Sequence, residues 1–172
     1  ALTFSLLLAA KYPNIQQELY DELHDVIDNE FKFDIHGLTK IPKLRAFVYE
    51  SLRIFPPAPI GGVRQMLHDG FKIDARKYDG NVYDVPNKTV LSVNIYAIGQ
   101  DPKNWIKDYD PLNNEQHKDV DMMKVHLDFW LDDNGLFTKK KNGDSFFAFH
   151  YGRRNCIGQS LAIREFIVVL AM

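Results

Sequence analysis

The chain has 172 residues, with 21 Lys and Arg against 23 Asp and Glu, a formal charge of −2. At 45% apolar and 26% charged residues it has the composition of a folded globular chain, which excludes a disordered tail or low-complexity linker, and the balanced charge gives no support for a nucleic-acid-binding surface. The length fits one domain or a piece of a larger one, and the single cysteine, Cys156, permits neither an internal disulfide nor a multi-cysteine zinc site.

Residues 1–11 read as the end of a buried helix entering from upstream, with Leu2, Leu6 and Ala9 or Ala10 inward. So short an apolar stretch without a basic flank makes neither a membrane span nor a signal peptide. Tyr12-Pro13-Asn14 breaks the helix, and residues 14–28 carry Ile15, Leu19, Leu23, Val26 and Ile27 in one helical stripe. Residues 29–40 read as a loop. Residues 41–55 form the next predicted helix, with Pro42 in its first turn, Leu44, Phe47 or Val48, and Ser51 or Leu52 inward, and Pro56-Pro57-Ala58-Pro59 as its stop. Gly61-Gly62 gives a turn. Short β runs follow at 63–66 and 71–74, and runs at 83–85 and 89–93 flank Pro86-Asn87-Lys88, which predicts a hairpin between them. Residues 94–105 hold a short helix. Residues 107–143 are polar and irregular, apart from an amphipathic turn around 122–131, and so long a loop points to a functional or binding surface. Residues 145–155 form a second loop, and Cys156 opens an apolar final helix that reaches Met172 without a stop signal. Both termini thus read as lying inside helices, and the chain as a fragment. The predicted class is mainly α with small antiparallel β-sheets (α+β).

Chemistry concentrates at Phe149-His150-Tyr151-Gly152-Arg153-Arg154-Asn155-Cys156-Ile157-Gly158. Glycine four residues before and two after the cysteine frees the backbone and lets another group come close. A cysteine at a helix N-terminus beside two arginines is expected to be thiolate-rich: a nucleophile, a redox sensor or a metal ligand. A small buried hydrophobe is the plainer reading of a lone cysteine. His150 is the candidate base for a nucleophile, but no His-x-x-x-His pair, nucleophile elbow, P-loop or dinucleotide fingerprint is present. On the helix before the proline stop, Glu50 and Arg53 stand at i, i+3 and can pair; taken alone, such a pair is usually a solvated surface contact.

Together these two segments resemble the cytochrome P450 superfamily of haem-thiolate monooxygenases. The cysteine loop is similar to Phe-x-x-Gly-x-Arg-x-Cys-x-Gly and continues as Cys-x-Gly-x-x-x-Ala-x-x-Glu through Ala162 and Glu165, six or seven matched positions in seventeen. Glu50-x-x-Arg53, with Pro56-Pro57 beyond it and the cysteine loop about a hundred residues on, resembles the second signature. The resemblance covers almost the whole chain. It implies a partial haem domain over residues 1–172, from the end of the central helix to the haem-ligand helix, truncated at both ends. It implies Cys156 as axial ligand of the iron of haem b, Arg154 and Arg64 as propionate partners, and Phe149 as a shield beside the thiolate. Gly152 and Gly158 would leave room for the macrocycle, and Glu50 and Arg53 would be a buried structural pair beneath the loop. The pair's third member, an Arg in a Pro-Glu-Arg-Phe-like tetrapeptide, aligns with Gln116 of Asn114-Glu115-Gln116-His117, a neutral replacement.

The same resemblance implies insertion of one oxygen atom from O2 into a small, apolar organic substrate. Residues 58–63 would face that substrate. Electrons would come from NADPH through a reductase docking near Lys139-Lys140-Lys141 and Arg153. No catalytic residue is expected within the chain, because the family's acid and alcohol pair falls upstream of Ala1. Residues 84–89 and the insert at 118–142 resemble the eukaryotic microsomal type, which implies the endoplasmic-reticulum membrane, reached through an N-terminal anchor outside this sequence. A truncated or degenerate, non-catalytic remnant of such an enzyme is the alternative, and a haem-free cysteine enzyme explains the paired signatures least.

Overall fold

In a computed structural model, which describes residues 1–26, 40–66, 70–76, 79–109, 120–139 and 145–172, the apolar periodicity resolves into α-helices joined to two small antiparallel sheets. The chain divides into two units, residues 1–59 with 95–172, and residues 60–94.

The first unit holds α1 (Leu2–Lys11), α2 (Pro13–Val26), α3 (Pro42–Ile54), α4 (Ile95–Gln100) and α5 (Gln159–Ala171), with single 3-10 turns at Pro102–Asn104, Leu127–Phe129 and Gly152–Arg154. α3 is its centre. It touches the other four helices and the Leu127–Phe129 turn. Leu44 and every residue from 46 to 54 are buried, so the polar Glu50, Ser51 and Arg53 lie inside with the apolar ones. A one-sided stripe was the expectation here. The helix instead carries two cores, one on each side. Leu44, Phe47, Val48 and Leu52 pack with Leu8, Ile15, Leu19 and α5, while Ala46 and Tyr49 pack with Trp105, Phe129 and Trp130. In α1 the inner residues are Ser5 and Leu8, with Leu2 and Ala9 partly covered; Leu6, expected inside, is 52% exposed. A helix that is apolar nearly all round has no stripe to mark its inner face.

The N-terminus of α3 is capped from a distance. Pro42 occupies the first turn and Ile41 has no side chain to offer, so the amides of Lys43 and Leu44 donate to the two carboxylate oxygens of Glu22, both at 2.8 Å. Burial raises the Glu22 pKa above the ordinary carboxylate value, and those two hydrogen bonds oppose the rise in part. Glu22→Ala is expected to cost about 1 kcal/mol, the usual worth of a helix cap. Because the folded chain holds this proton more tightly than the unfolded chain does, the Glu22 contribution is complete below the ordinary carboxylate pKa. It is lost as pH rises through the elevated folded value. Urea unfolding of both proteins across pH 4–8 checks the sign, since the gap between them should narrow upward.

The second unit carries β1 (Arg64–Gln65), β2 (Phe71–Asp74), β3 (Val82–Val85) and β4 (Val90–Leu91). The strands lie where expected, but the expected pairing does not hold. β3 pairs with β2 and β4 with β1, so Pro86-Asn87-Lys88 turns the chain out of one ladder and into the other. Cross-strand matching explains the choice. Phe71 faces Val85 and Ile73 faces Tyr83 on one side of the ribbon, while Lys72 and Asp84 face each other on the opposite side at 3.4 Å. Lys88 takes a left-handed φ of 64° in the connecting turn, and its amide donates to Met66 O.

Candidate functional site

Two polar side chains at the centre of α3 are completely enclosed. Arg53 Nε and an NH2 nitrogen donate to the two Glu50 oxygens at 2.8 and 2.7 Å, and neither side chain is exposed at all. The guanidinium also donates to Gly99 O at 2.6 Å, Met122 O at 2.7 Å and Lys124 O at 3.2 Å. The Glu50 oxygens accept two further bonds, from the His126 amide at 2.8 Å and from Trp130 Nε1 at 2.9 Å. The rings of Trp105 and Phe129 lie 5.5 and 5.6 Å from the guanidinium carbon. Each carboxylate oxygen therefore accepts twice, and opposite charges sit in contact. Both are conditions under which a buried ion pair is tolerated. The solvated surface pair that the spacing alone would suggest is not what forms.

His126 and Trp130 escaped the reading of the sequence, and Gln116, the residue aligned with the third position, lies outside the described residues. A signal was available. Trp130 is one of only two tryptophans and stands in the amphipathic turn around 122–131, where a large aromatic marks a buried contact. It is completely buried, with ring centroids of Tyr49, Trp105 and Phe146 at 5.3, 5.3 and 5.2 Å.

From Phe146 the chain enters the cysteine loop. Phe149 is buried in the α1–α2–α3 core, and its carbonyl accepts the Cys156 amide at 2.8 Å. His150 and Gly152 both take left-handed φ values, 62° and 78°, which fold the loop back on itself. The imidazole of His150 makes no hydrogen bond among the described residues. Cys156 stands slightly ahead of the expected position. It precedes the helix cap Gly158 by two residues, and α5 begins at Gln159, so the cysteine leads into the helix without being part of it.

The Cys156 thiol is free and exposed. The flanking glycines leave it room: a Cβ on Gly152 would meet nothing within 4 Å, and one on Gly158 would meet only the Cys156 sulfur, at 3.8 Å. Ile157 is fully exposed, and Tyr151 and Leu161 are largely so. Arg153 and Arg154 extend from the loop with no hydrogen bond or ion pair among the described residues. Arg64 belongs to the second unit, where it is exposed on β1 and donates to Val63 O at 3.0 Å. Lys139 lies 4.6 Å from the Tyr49 ring; Lys140 and Lys141 are outside the described residues.

The family model described as Cytochrome P450 matches residues 1–172. The chain belongs to the cytochrome P450 family. It is 28% identical to Probable cytochrome P450 525A1 of Dictyostelium discoideum, over 99% of this chain and 26% of that protein. It is 31% identical to Cytochrome P450 93B2 of Gerbera hybrida, over 99% and 30%. It is 28% identical to Cytochrome P450 1A1 of Chaetodon capistratus, over 96% and 27%. The chain thus spans less than a third of the length of these curated relatives.

For a P450, the donor set around Cys156 is suitable. The described residues contain no cluster of three or more His, Cys, Asp or Glu side chains placed to hold a metal. A single thiol suits a metal that brings the rest of its coordination with it, as an iron porphyrin does. The bare apolar surface of Ile157 and Leu161 suits a flat macrocycle, and the unpaired Arg154 suits its carboxylates. Among the described residues no helix is long and apolar enough to cross a membrane.

Proposed function

We propose that this chain is the thiolate-bearing part of a longer haem-thiolate monooxygenase domain and that Cys156 Sγ is the protein ligand of the iron of haem b. The carrying observation is a free, exposed thiol whose backbone amide is fixed to a core residue, Phe149, while the space around the sulfur stays open. Membership in the cytochrome P450 family supports the reading. Arg154 would take a propionate, since a guanidinium matches a carboxylate fork. Phe149 would shield the thiolate side from water, and Gly152 and Gly158 would admit the macrocycle. Glu50 and Arg53 have a structural role beneath the loop.

When bound, a thiolate-ligated haem supplies O2 activation and transfer of one oxygen atom to an organic substrate. What this part of the chain contributes is the Cys156 sulfur, on a loop whose backbone is tied to the core residue Phe149. Electrons would come from NADPH by way of a reductase, with Lys139 and Arg153 among the cations that such a partner would meet. The substrate is proposed to be small and apolar, in keeping with residues 58–63, and the location to be the endoplasmic-reticulum membrane, reached through a segment outside this chain.

The complete protein, reduced and exposed to CO, should show the red-shifted Soret band of a thiolate-ligated haem, and Cys156→Ser should abolish it. Absence of the band from the wild type, or its survival in the serine variant, would overturn the ligand assignment.

A further inference from the structure

We infer that Trp130 is a positioning residue for Cys156, tying the buried Glu50–Arg53 pair to the cysteine loop through a run of touching aromatic rings. The inference rests on the proposed role of Cys156 only for its functional meaning, because the contacts are independent of it.

The run begins at the carboxylate. Trp130 is completely buried and gives its one polar hydrogen to Glu50 Oε2 at 2.9 Å, which fixes the indole in its plane. The same ring presents itself to Phe146 in an edge-to-face contact, centroids 5.2 Å apart and planes at 85°, the favoured aromatic geometry. Phe146 meets Phe149 in turn at 6.2 Å and 64°. Phe149 ends the run, because its carbonyl is the acceptor of the Cys156 amide at 2.8 Å. Tyr49, one residue before Glu50 on α3, also meets Phe146, at 5.1 Å.

Each link is directional. The hydrogen bond from the indole sets one ring plane, the edge-to-face contacts set the next two, and the last ring belongs to the residue whose carbonyl orients the thiol-bearing backbone. The loop itself needs outside support: His150, adjacent to Phe149, is held at a left-handed φ that a side-chain-bearing residue adopts only at some cost, and the Cys156 side chain has no partner among the described residues. Trp130 is thus more than filler in the second core. It joins the only fully buried charges of α3 to the segment that presents the sulfur.

The test uses the complete protein and Trp130→Leu, which keeps apolar bulk but removes both ring and donor, together with Trp130→Phe, which keeps a ring against Phe146. Hydrogen–deuterium exchange is read in the peptide containing the Cys156 amide and, as an internal reference, in α2. Losing three aromatic contacts and their orientation should speed exchange of the Cys156 amide about tenfold in Trp130→Leu while α2 is unchanged, with most of the protection regained in Trp130→Phe. The red-shifted share of the CO-bound spectrum should fall in the same order. If Trp130→Leu does not fold, Phe146→Leu breaks the same run at its next link and carries the same expectation. Equal acceleration in α2 and the cysteine loop, or unchanged exchange at Cys156, would overturn the positioning role. A wild type without the red-shifted band but with this selective exchange pattern would overturn the haem assignment and leave the positioning role standing.

Discussion

Arg53→Leu is expected to destabilise the protein by about 3–5 kcal/mol, the range for removing one partner of a buried ion pair. The magnitude follows from what is left behind. Glu50 would be left without its charge partner in a site with no exposure, and the carbonyls of Gly99, Met122 and Lys124 would lose the guanidinium that satisfies them. Glu50 would retain its bonds from the His126 amide and Trp130, but neither carries a charge to balance the carboxylate. Denaturant unfolding of the complete protein gives the number. The double variant Glu50→Leu/Arg53→Leu separates the causes: it buries no charge, so it should recover part of the loss relative to Arg53→Leu, whereas two independent defects would add. A loss below about 1 kcal/mol for Arg53→Leu would be the behaviour of an exposed pair and would contradict the burial.

The spacing of Glu50 and Arg53 was legible in the sequence because both lie on one helix and three residues place them on one face. Their burial was not legible from the spacing, since the same i, i+3 pattern decorates solvated helices; it entered only through the resemblance of the two signatures taken together. The other half of the network was hidden for a plainer reason. Glu50 accepts from His126 and Trp130, 76 and 80 residues away, and Arg53 donates to three backbone carbonyls, which leave no trace in residue type. The stretch 107–143 reads as a polar loop with a surface to offer, apart from an amphipathic turn around 122–131. That turn runs inward at Leu127–Phe129 and delivers Trp130 to the core.

The strands repeat the lesson on a smaller scale. Alternation located them, but a turn signal at Pro86-Asn87-Lys88 names only a reversal of direction. Which strand a neighbour pairs with is decided by the facing side chains, Phe71 against Val85 and Lys72 against Asp84, and by the continuity of the outer ladder through Met66 and Thr89. The cysteine loop was the most legible part of the chain, because its glycines answer to local backbone needs. Gly152 sits at a φ of 78°, and the single thiol between the glycines is left open. Its tie to Phe149 runs through main-chain atoms and became visible only in the fold.

Gly99→Ala puts the close approach of α4 to α3 to a direct test, because two physical effects predict opposite signs. Gly99 lies within α4, where alanine is the better helix former by about 1 kcal/mol, so an unobstructed site would gain stability from the change. The site is obstructed. A Cβ there would stand 2.6 Å from Arg53 O and 3.5 Å from Arg53 Cγ. The oxygen belongs to the backbone of α3 and cannot swing away, so α4 as a whole would have to retreat. That retreat would lengthen the 2.6 Å bond from Arg53 to Gly99 O, one of the bonds that keep the guanidinium aimed at Glu50. Overpacking and a weakened charged hydrogen bond together should outweigh the propensity gain and leave a net loss of about 2–4 kcal/mol. The loss should not add to that of Arg53→Leu: once the guanidinium is gone the bond at stake no longer exists, and the double variant should fall short of the sum of the two single changes. Thermal and denaturant unfolding of the four proteins measure this, and a Gly99→Ala protein as stable as wild type or more so would show that α4 has room to spare.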